Sequence, residues 1–318
     1  MFEARVLADS VAPNGIRLTT MLLTYPRFIH AEFMTHRVFS RNAASSRAIP
    51  VKKKLLRIND HPVEPVEWGT NKPGMQAGEA CTPEVEVLAK ELWHEARVAA
   101  MHCAAGLDSL SIHKQVANRI LEPWDWMTTQ VSSTSWRNFD ILRRHPAADP
   151  NIRLLAHMRK TAYDESIPKY LEIGEWHLPW ITDPERVEFE LETLKQLSAG
   201  RSARLSYLTH DQRREPEKDI ELFARLTSRD DPMEPGHWTP VEHQATPIGG
   251  FVIRENDGIS GPCAWCHLIQ LESNTKHVIF ESPFAHVCMK CAKGHITSGN
   301  FTGWHQWRQD FKNQDFDA

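Results

Sequence analysis

The sequence predicts a helix-rich α+β fold with an antiparallel sheet, and three observations carry that expectation. Residues 4 to 28, ARVLADSVAPNGIRLTTMLLTYPRF, alternate as a short strand, a Pro-Asn-Gly turn and a second strand over about Ile16 to Thr24, which together make a hairpin. Helical periodicity dominates the chain after that hairpin. Two C-x-x-C pairs, CAWC and CMKC, then mark a distinct small module late in the sequence.

Taken in order, FIHAEFMTHRVF fits a helix, with Phe28, Glu32, Thr35 and Phe39 on one stripe and Ile29, Phe33, His36 and Ser40 on the next. Residues 59 to about 80 are rich in Pro and Gly and predict an irregular excursion. Thr82 is expected as an N-cap with Pro83 at the first helical position and Glu84 and Glu86 facing the positive end of the dipole. Val85, Leu88, Leu92 and Ala96 form the expected buried stripe of that helix, which runs to about Gly106 and carries Cys103 on its apolar side. Further helical patterns cover HKQVANRILEP, SWRNFDILRRH and NIRLLAHMRKTAY. Asp183-Pro184 starts a helix through ERVEFELETLKQL, Gly200 leads into RSARLSYLTHDQ, and EKDIELFARL follows as one more amphipathic helix. The stretch from Pro232 to Gly261 is rich in turn residues.

At 318 residues the chain has room for two domains or one elaborated domain with a substantial core. The expected division is a catalytic domain over residues 1–250, an insertion over 251–297 and a tail over 298–318 that returns to the first domain. A net charge of -4 with 25% charged residues gives no reason to expect nonspecific nucleic-acid binding, so any attraction for phosphate must be local. No stretch approaches the roughly 18 apolar residues of a membrane span, and MFEARVLADSV lacks a signal-peptide core, so a cytoplasmic location without a membrane partner is expected.

In an unsecreted protein, Cys263, Cys266, Cys288 and Cys291 point to metal, because tetrahedral zinc needs two short chelating pairs brought together by a hairpin. A structural staple for a module too short to have its own core is the preferred role. A catalytic zinc with His267, His286 or His295 as a ligand, and thiol redox chemistry, stay open as alternatives. Residues 35 to 50, THRVFSRNAASSRAIP, have too few large apolar residues to pack. Arg37, Arg41 and Arg47 with Ser40, Ser45 and Ser46 between them suit a phosphate grip, and the bland alternative is a solvated basic helix face. GHWTPVEH places His237 and His243 about a Thr-Pro turn, and Arg119, Asn138, Arg143 and Arg144 lie on predicted helices that could converge with the basic stretch.

Together these segments resemble the flavin-dependent thymidylate synthases. His36-Arg37 followed by Ser45 and Arg47, with Ser40 and Asn42 between, is similar to that family's R-H-R-x7-S motif. GHWTPVEH resembles its H-x-S/T-P-x-E-H segment, ARLSY its A-R-x-S-Y segment, and VANRILEP with NFDILRR two of its helices. The segment order differs from the family's, since ARLSY and GHWTPVEH here follow the R-H-R-like motif by about 160 residues, and a circular permutation would account for that. It would also bring His237 beside the end of the Phe28 to Phe39 helix.

The resemblance implies reductive methylation of the pyrimidine deoxynucleotide dUMP to dTMP. Methylenetetrahydrofolate would be the one-carbon co-substrate, FAD the hydride carrier and NADPH the reductant, in a homotetramer. It further implies that His36, Arg37, Asn42, Asn138 and His237 contact FAD. Glu32, Ser45, Ser46, Arg47, Arg119 and Arg143 would hold the nucleotide, with Ser45 and Arg47 on its phosphate and Arg143, the main catalytic candidate beside Ser45, near its base. Ser45 is expected as a ligand rather than an attacking group, because no base is evident beside it.

Departures from the motif are informative. Thr35 replaces the first arginine, with Arg41 or Arg308 as candidates to supply the charge, and Ala43 replaces an acidic residue. Arg119 lies one residue off the usual register. Glu32 stands where the family has glutamine, and a carboxylate only accepts hydrogen bonds, which would suit a cytosine amino group. Methylation or hydroxymethylation of dCMP is therefore the first alternative. A nonenzymatic zinc-ribbon nucleic-acid binder is the second, disfavoured because the cysteine module has Lys290 and Lys293 but no dense basic stripe.

Overall fold

The computed structural model describes residues 1–205, 214–228, 237–254, 261–264, 266–267, 270–271, 276–281 and 284–311. Its centre is a five-stranded sheet built around the predicted hairpin. Strands β1 (Glu3–Val11) and β2 (Arg17–Pro26) pair antiparallel from Glu3 opposite Thr24 to Val11 opposite Arg17, with a bulge between Val6 and Ala8. Gly15, at φ 79°, takes the left-handed conformation that the connecting turn requires. Strand β3 is Ser40–Ala43 and β4 is Trp126–Ser133, in the order β3-β4-β2-β1-β5 with β5 at Lys169–Tyr170. All neighbours run antiparallel except β5, which lies parallel to the end of β1.

The middle of the sheet is the core. Every residue of β4 is buried, as is every residue of β2 after Arg17. Met21, Leu23, Tyr25, Met127 and Val131 pack against Phe33, Phe39, Trp136, Phe139, Ile152 and Leu155, which come from the helices on one face and the turns beside them. Those helices include α1 (His30–Met34), α5 (Arg137–Arg143) and α6 (Pro150–Glu165). Asp149 caps α6 by accepting from the N–H groups of Asn151 and Ile152, and Pro150 opens its first turn. Arg159 of α6 is fully buried, stacks 4.8 Å from the Trp136 ring and pairs with Asp140.

A second layer gathers α2 (Val51–Asp60), α3 (Pro83–Ser109), α4 (Lys114–Ala117) and a 3-10 segment at Asn118–Trp124. Thr82 caps α3 as expected, accepting from Val85 N–H, and Pro83 occupies the first turn. The buried face differs from the expected stripe. Ala104, with the half-buried Trp93, Ala100 and Met101, packs against Val51, Ile58 and Trp124, whereas Val85, Leu88, Leu92, Ala96 and Cys103 are exposed. The reason is angular: the packed residues lie about a third of a turn round the helix from the Val85 stripe. The expected helix from Phe28 to Phe39 is also shorter, a 3-10 turn at Arg27–Ile29 followed by α1, after which the chain passes into β3.

The pattern ERVEFELETLKQL is two helices, α7 (Asp183–Glu188) and α8 (Leu191–Ala203), because Phe189 and Glu190 are extended. Gly200 lets α8 lie directly against the backbone of Asp219 in the helix Pro216–Thr227, where a Cβ would collide. The chain leaves through the strand Ala245–Pro247 into a three-stranded sheet of Phe251–Arg254, His277–Glu281 and Phe284–Cys288, then the helix Met289–Ile296. It comes back at Trp304–Gln306, which pairs antiparallel with Ala245–Pro247. Trp304 is buried among Ala12, Leu18, Leu171 and Phe301 and donates from its ring N–H to Ile16 O at 3.0 Å. Among the described residues no helix is long and apolar enough to cross a membrane.

Candidate functional site

The THRV stretch begins where α1 stops. Thr35 N–H bonds to Glu32 O, His36 N–H to Phe33 O, and the Thr35 hydroxyl donates back to Glu32 O at 2.7 Å, so the turn presents Glu32, Thr35 and His36 on one side. Arg143, at the C-terminal end of α5, reaches all three. Its Nε donates to His36 Nε2 at 2.9 Å, Nη1 to Glu32 Oε2 at 3.0 Å, and Nη2 to Glu32 O at 3.2 Å and to Thr35 Oγ1 at 3.1 Å. Four of the five guanidinium N–H groups are thereby used, and one on Nη1 remains.

Accepting at Nε2 requires His36 to be neutral, with its ring proton on Nδ1. The electrostatics agree: burial, then the charges of Arg143 and Arg41, hold His36 down to about 4. Its ring is packed edge-on against Phe139 at 4.9 Å. Glu32 is shifted the other way, raised by partial burial and by Asp149 and restrained by Arg143. Thr35, at the position where the resembled motif has arginine, is therefore an acceptor for Arg143, a place where a second guanidinium would repel the first.

Beyond β3, Ala44 N–H extends the ladder to Thr128 O, and then the chain turns: Ala48 N–H bonds to Ser45 O and Arg47 N–H to Ser45 Oγ at 3.3 Å. Buried Asn118 clamps this turn, donating from one amide nitrogen to Ser46 O at 2.8 Å and to Ile49 O at 2.9 Å. Ser45 and Arg47 face solvent, whereas Ser46 is buried. Arg119 is exposed and paired at 3.0 Å with Glu122, which also holds Arg27 at 2.9 Å. The residue that supports the turn is thus Asn118, one position before the predicted arginine.

The distant segments also meet here. The 3-10 turn Thr239–Glu242 of GHWTPVEH packs against β3. Ser40 Oγ accepts from Asn300 Nδ2 and Gln306 Nε2 and bonds the Glu242 carboxylate, while Gln306 Nε2 also donates to Glu242 O at 2.7 Å. Burial raises Glu242, and Arg308, Ser40 and Arg41 oppose that rise. Asn42 Nδ2 donates to Ser202 O at 3.2 Å, just before the ARLSY segment. Arg204 of that segment pairs with Asp219 at 2.6 Å, and its Ser206 and Tyr207 lie outside the described residues, as does Gly236. Arg37, Asn138 and His237 are exposed, and His237 is fixed by its backbone N–H on Leu226 O.

Of a buried polar chain behind the site, sequence patterns singled out only His243, which the structure buries fully on Ser132 while His237 stays exposed. Ser10 Oγ bonds His177 Nδ1 at 2.9 Å, His177 Nε2 bonds Thr20 Oγ1 at 2.8 Å, Thr20 Oγ1 bonds Ser132 Oγ at 2.6 Å, and Ser132 Oγ bonds His243 Nδ1 at 2.8 Å. Both histidines are fully buried and are held down to about 3, chiefly by burial. Its members are separated by 10 to over 100 residues, so no spacing signal could have linked them.

In the cysteine module the four sulfurs of Cys263, Cys266, Cys288 and Cys291 all lie within 4.8 Å of one another. Tetrahedral zinc with Zn–S bonds of about 2.3 Å separates its sulfurs by about 3.8 Å, so modest closure fits the ion. Cys288 N–H already donates to Cys263 Sγ at 3.2 Å, as in a metal knuckle. Bonds to Cys288 and Cys266, then burial, push the Cys291 thiol up to about 12, so it stays protonated unless a cation offsets the charge of its thiolate.

No family model and no curated protein matches the chain. Among solved structures, a UMP/dUMP methylase, PolB from Streptomyces cacaoi, bound with 5-Br dUMP, is 14% identical with a TM-score of 0.40 over 52% of this chain and 90% of that one. The same enzyme bound with 5-Br UMP is 14% identical with a TM-score of 0.41 over 52% and 89%.

Proposed function

We propose that this chain is an FAD-dependent enzyme that reductively methylates dUMP to dTMP, with methylenetetrahydrofolate as one-carbon donor and NADPH as reductant. The observation that carries the proposal is the knot in which Arg143 from one sequence segment binds Glu32, Thr35 and His36 from another. Glu242 of a third segment docks beside it on Ser40.

Each part has a chemical task. Ser45 and Arg47 sit on a turn pinned from behind by Asn118, and they are the residues to hold a nucleotide phosphate. Arg143 keeps one N–H on Nη1, and Glu32 keeps a carboxylate oxygen outside the ion pair. Side by side they offer one donor and one acceptor, the complement of a uracil carbonyl and its ring N–H. Positive charge at Arg143, fixed by neutral His36, would stabilise electron density on the pyrimidine as the ring is attacked. Exposed Arg37, Asn138 and His237, with Asn42, form the donor set for the flavin, and Arg37 makes no ion pair among the described residues that would have to be broken first. Bound flavin would supply the hydride chemistry that no side chain here can provide.

The four cysteines are proposed to hold a structural zinc, and the segment order is proposed to reflect a circular permutation. One observation supports the alternative reading, in which dCMP replaces dUMP as the substrate: the free oxygen of Glu32 also suits an exocyclic amino group. The test is spectroscopic. Protein purified with FAD should keep a flavin band that dUMP perturbs, whereas a colourless protein carrying zinc alone would overturn the assignment in favour of a zinc-ribbon binding protein.

A further inference from the structure

The returning tail puts an amide between two segments that frame the site. Gln306, at the end of the strand Trp304–Gln306, is 2% exposed and belongs to none of the motif segments. Its Nε2 donates twice, to Ser40 Oγ at 3.0 Å and to the Glu242 backbone carbonyl at 2.7 Å. A carbonyl oxygen only accepts, so the amide orientation is fixed and both of its N–H groups are used. Ser40 is fully buried, and its Oγ accepts a second bond from Asn300 Nδ2 at 3.2 Å. With both lone pairs taken, the one hydroxyl proton goes to the Glu242 carboxylate. Gln306, Ser40 and Glu242 thus close a triangle, in which the amide holds Glu242 directly by its backbone and, through Ser40, by its side chain.

The triangle is anchored from the tail side. Gln306 pairs with Ala245 in the antiparallel ladder, its own N–H donates to Ser298 Oγ at 3.1 Å, and Trp307 N–H donates to Gln244 O at 2.9 Å. Gly299, at φ 58°, lies so close that a Cβ there would collide with Gln306 Oε1. Thr302 N–H bonds Thr134 Oγ1 at 3.1 Å, just past the end of β4. On the site side, Asn42 lies two residues along β3 from Ser40 and on the same face, and His237 lies five residues before Glu242. We infer, resting on the flavin reading proposed above, that Gln306 is a positioning residue: it holds β3 and the 3-10 turn Thr239–Glu242 at the separation that lets Asn42 and His237 engage one flavin. The nucleotide side has separate supports. The turn after β3 is held by Asn118 and by Lys114 Nζ on Ala48 O at 3.1 Å, and Arg143 is held by Glu32, Thr35 and His36. Changes at Gln306 should therefore separate flavin binding from nucleotide binding.

The test compares the FAD and dUMP affinities of the full-length protein by calorimetry, with the melting temperature measured alongside. Gln306→Met keeps length and volume but loses both N–H groups, and should weaken FAD binding about 10-fold while dUMP affinity changes by less than about 3-fold. Ser40→Ala removes another corner of the same triangle and should weaken FAD binding similarly. The double variant should lie within about 2-fold of either single one, because both break one linkage. Trp304→Phe loses the ring N–H bond to Ile16 O on the same strand, so it should lower the melting temperature and leave FAD affinity at the wild-type value. Wild-type FAD affinity in Gln306→Met, equal losses of FAD and dUMP affinity, additive losses in the double variant, or a loss of FAD binding in Trp304→Phe as large as in Gln306→Met would each overturn the role of Gln306 and leave the flavin reading standing. A wild type that binds no FAD would instead overturn the flavin reading, and this role with it.

Discussion

Acidification should destabilise this fold well before its carboxylates titrate, through the buried chain of Ser10, His177, Thr20, Ser132 and His243. Both histidines are neutral in the folded state, held down to about 3 against an unfolded value near 6.5. A depressed histidine contributes fully above about pH 6.5, and its contribution is lost as pH falls from there toward the folded value. At about pH 5.5 each costs RT ln(1 + 10), about 1.4 kcal/mol, and the pair about 2.8 kcal/mol, against less than about 0.1 kcal/mol each at about pH 7.5. The figure needs only that the folded values stay well below 5.5, which complete burial ensures. His36 and His30, both held down to about 4, add in the same direction. Urea unfolding at the two pH values measures the difference directly. His177→Asn with His243→Asn retains a hydrogen-bonding group on each side chain and should remove about 2.8 kcal/mol of the pH dependence, whatever it does to stability at neutral pH. Stability that is flat between the two conditions, or a double variant with the wild-type slope, would refute the reasoning.

Three further outcomes follow from the site and its supports. Arg143→Lys keeps the charge but loses the fork to Glu32, Thr35 and His36, and should lower kcat/KM for the nucleotide by about 10- to 100-fold, as charge-assisted bonds of about 1.5–3 kcal/mol imply. Asp125→Asn removes the negative charge that buried Lys54 pairs with at 2.6 Å and weakens the hold on Arg57. It should cost about 3–5 kcal/mol in denaturant unfolding, and a loss below about 1 kcal/mol would contradict the pairing. Elemental analysis should find about one zinc per chain, lost in Cys263→Ser with a lower melting temperature, and a metal-free wild type purified without chelator would rule the site out.

Local signals were legible in the sequence where chemistry is concentrated in a few adjacent residues. Pro-Asn-Gly marked the β1–β2 turn, Thr82-Pro83 the start of α3, and the paired C-x-x-C spacing the cluster of four sulfurs. Strand β4 escaped notice because WMTTQVSS is buried on both faces, so it shows no alternation of polar and apolar residues. The stripe Val85, Leu88, Leu92 and Ala96 has a helical period, but periodicity cannot say whether such a stripe faces its own core or another molecule. Of the site, Glu32, His36 and Arg143 were legible as separate residues, while their common contact was not. Arg143's hold on Thr35, and the clamp that Asn118 rather than Arg119 places on Ser46, depend on where two helices end in space.

The proposed activity meets its most direct test in the mass of a product. Purified protein incubated with FAD, NADPH, methylenetetrahydrofolate and dUMP should convert the nucleotide to one that is a single CH2 heavier and matches dTMP. Parallel incubation with dCMP should leave that nucleotide unchanged. An unaltered dUMP in the presence of flavin-loaded protein, or conversion of dCMP alone, would contradict the account.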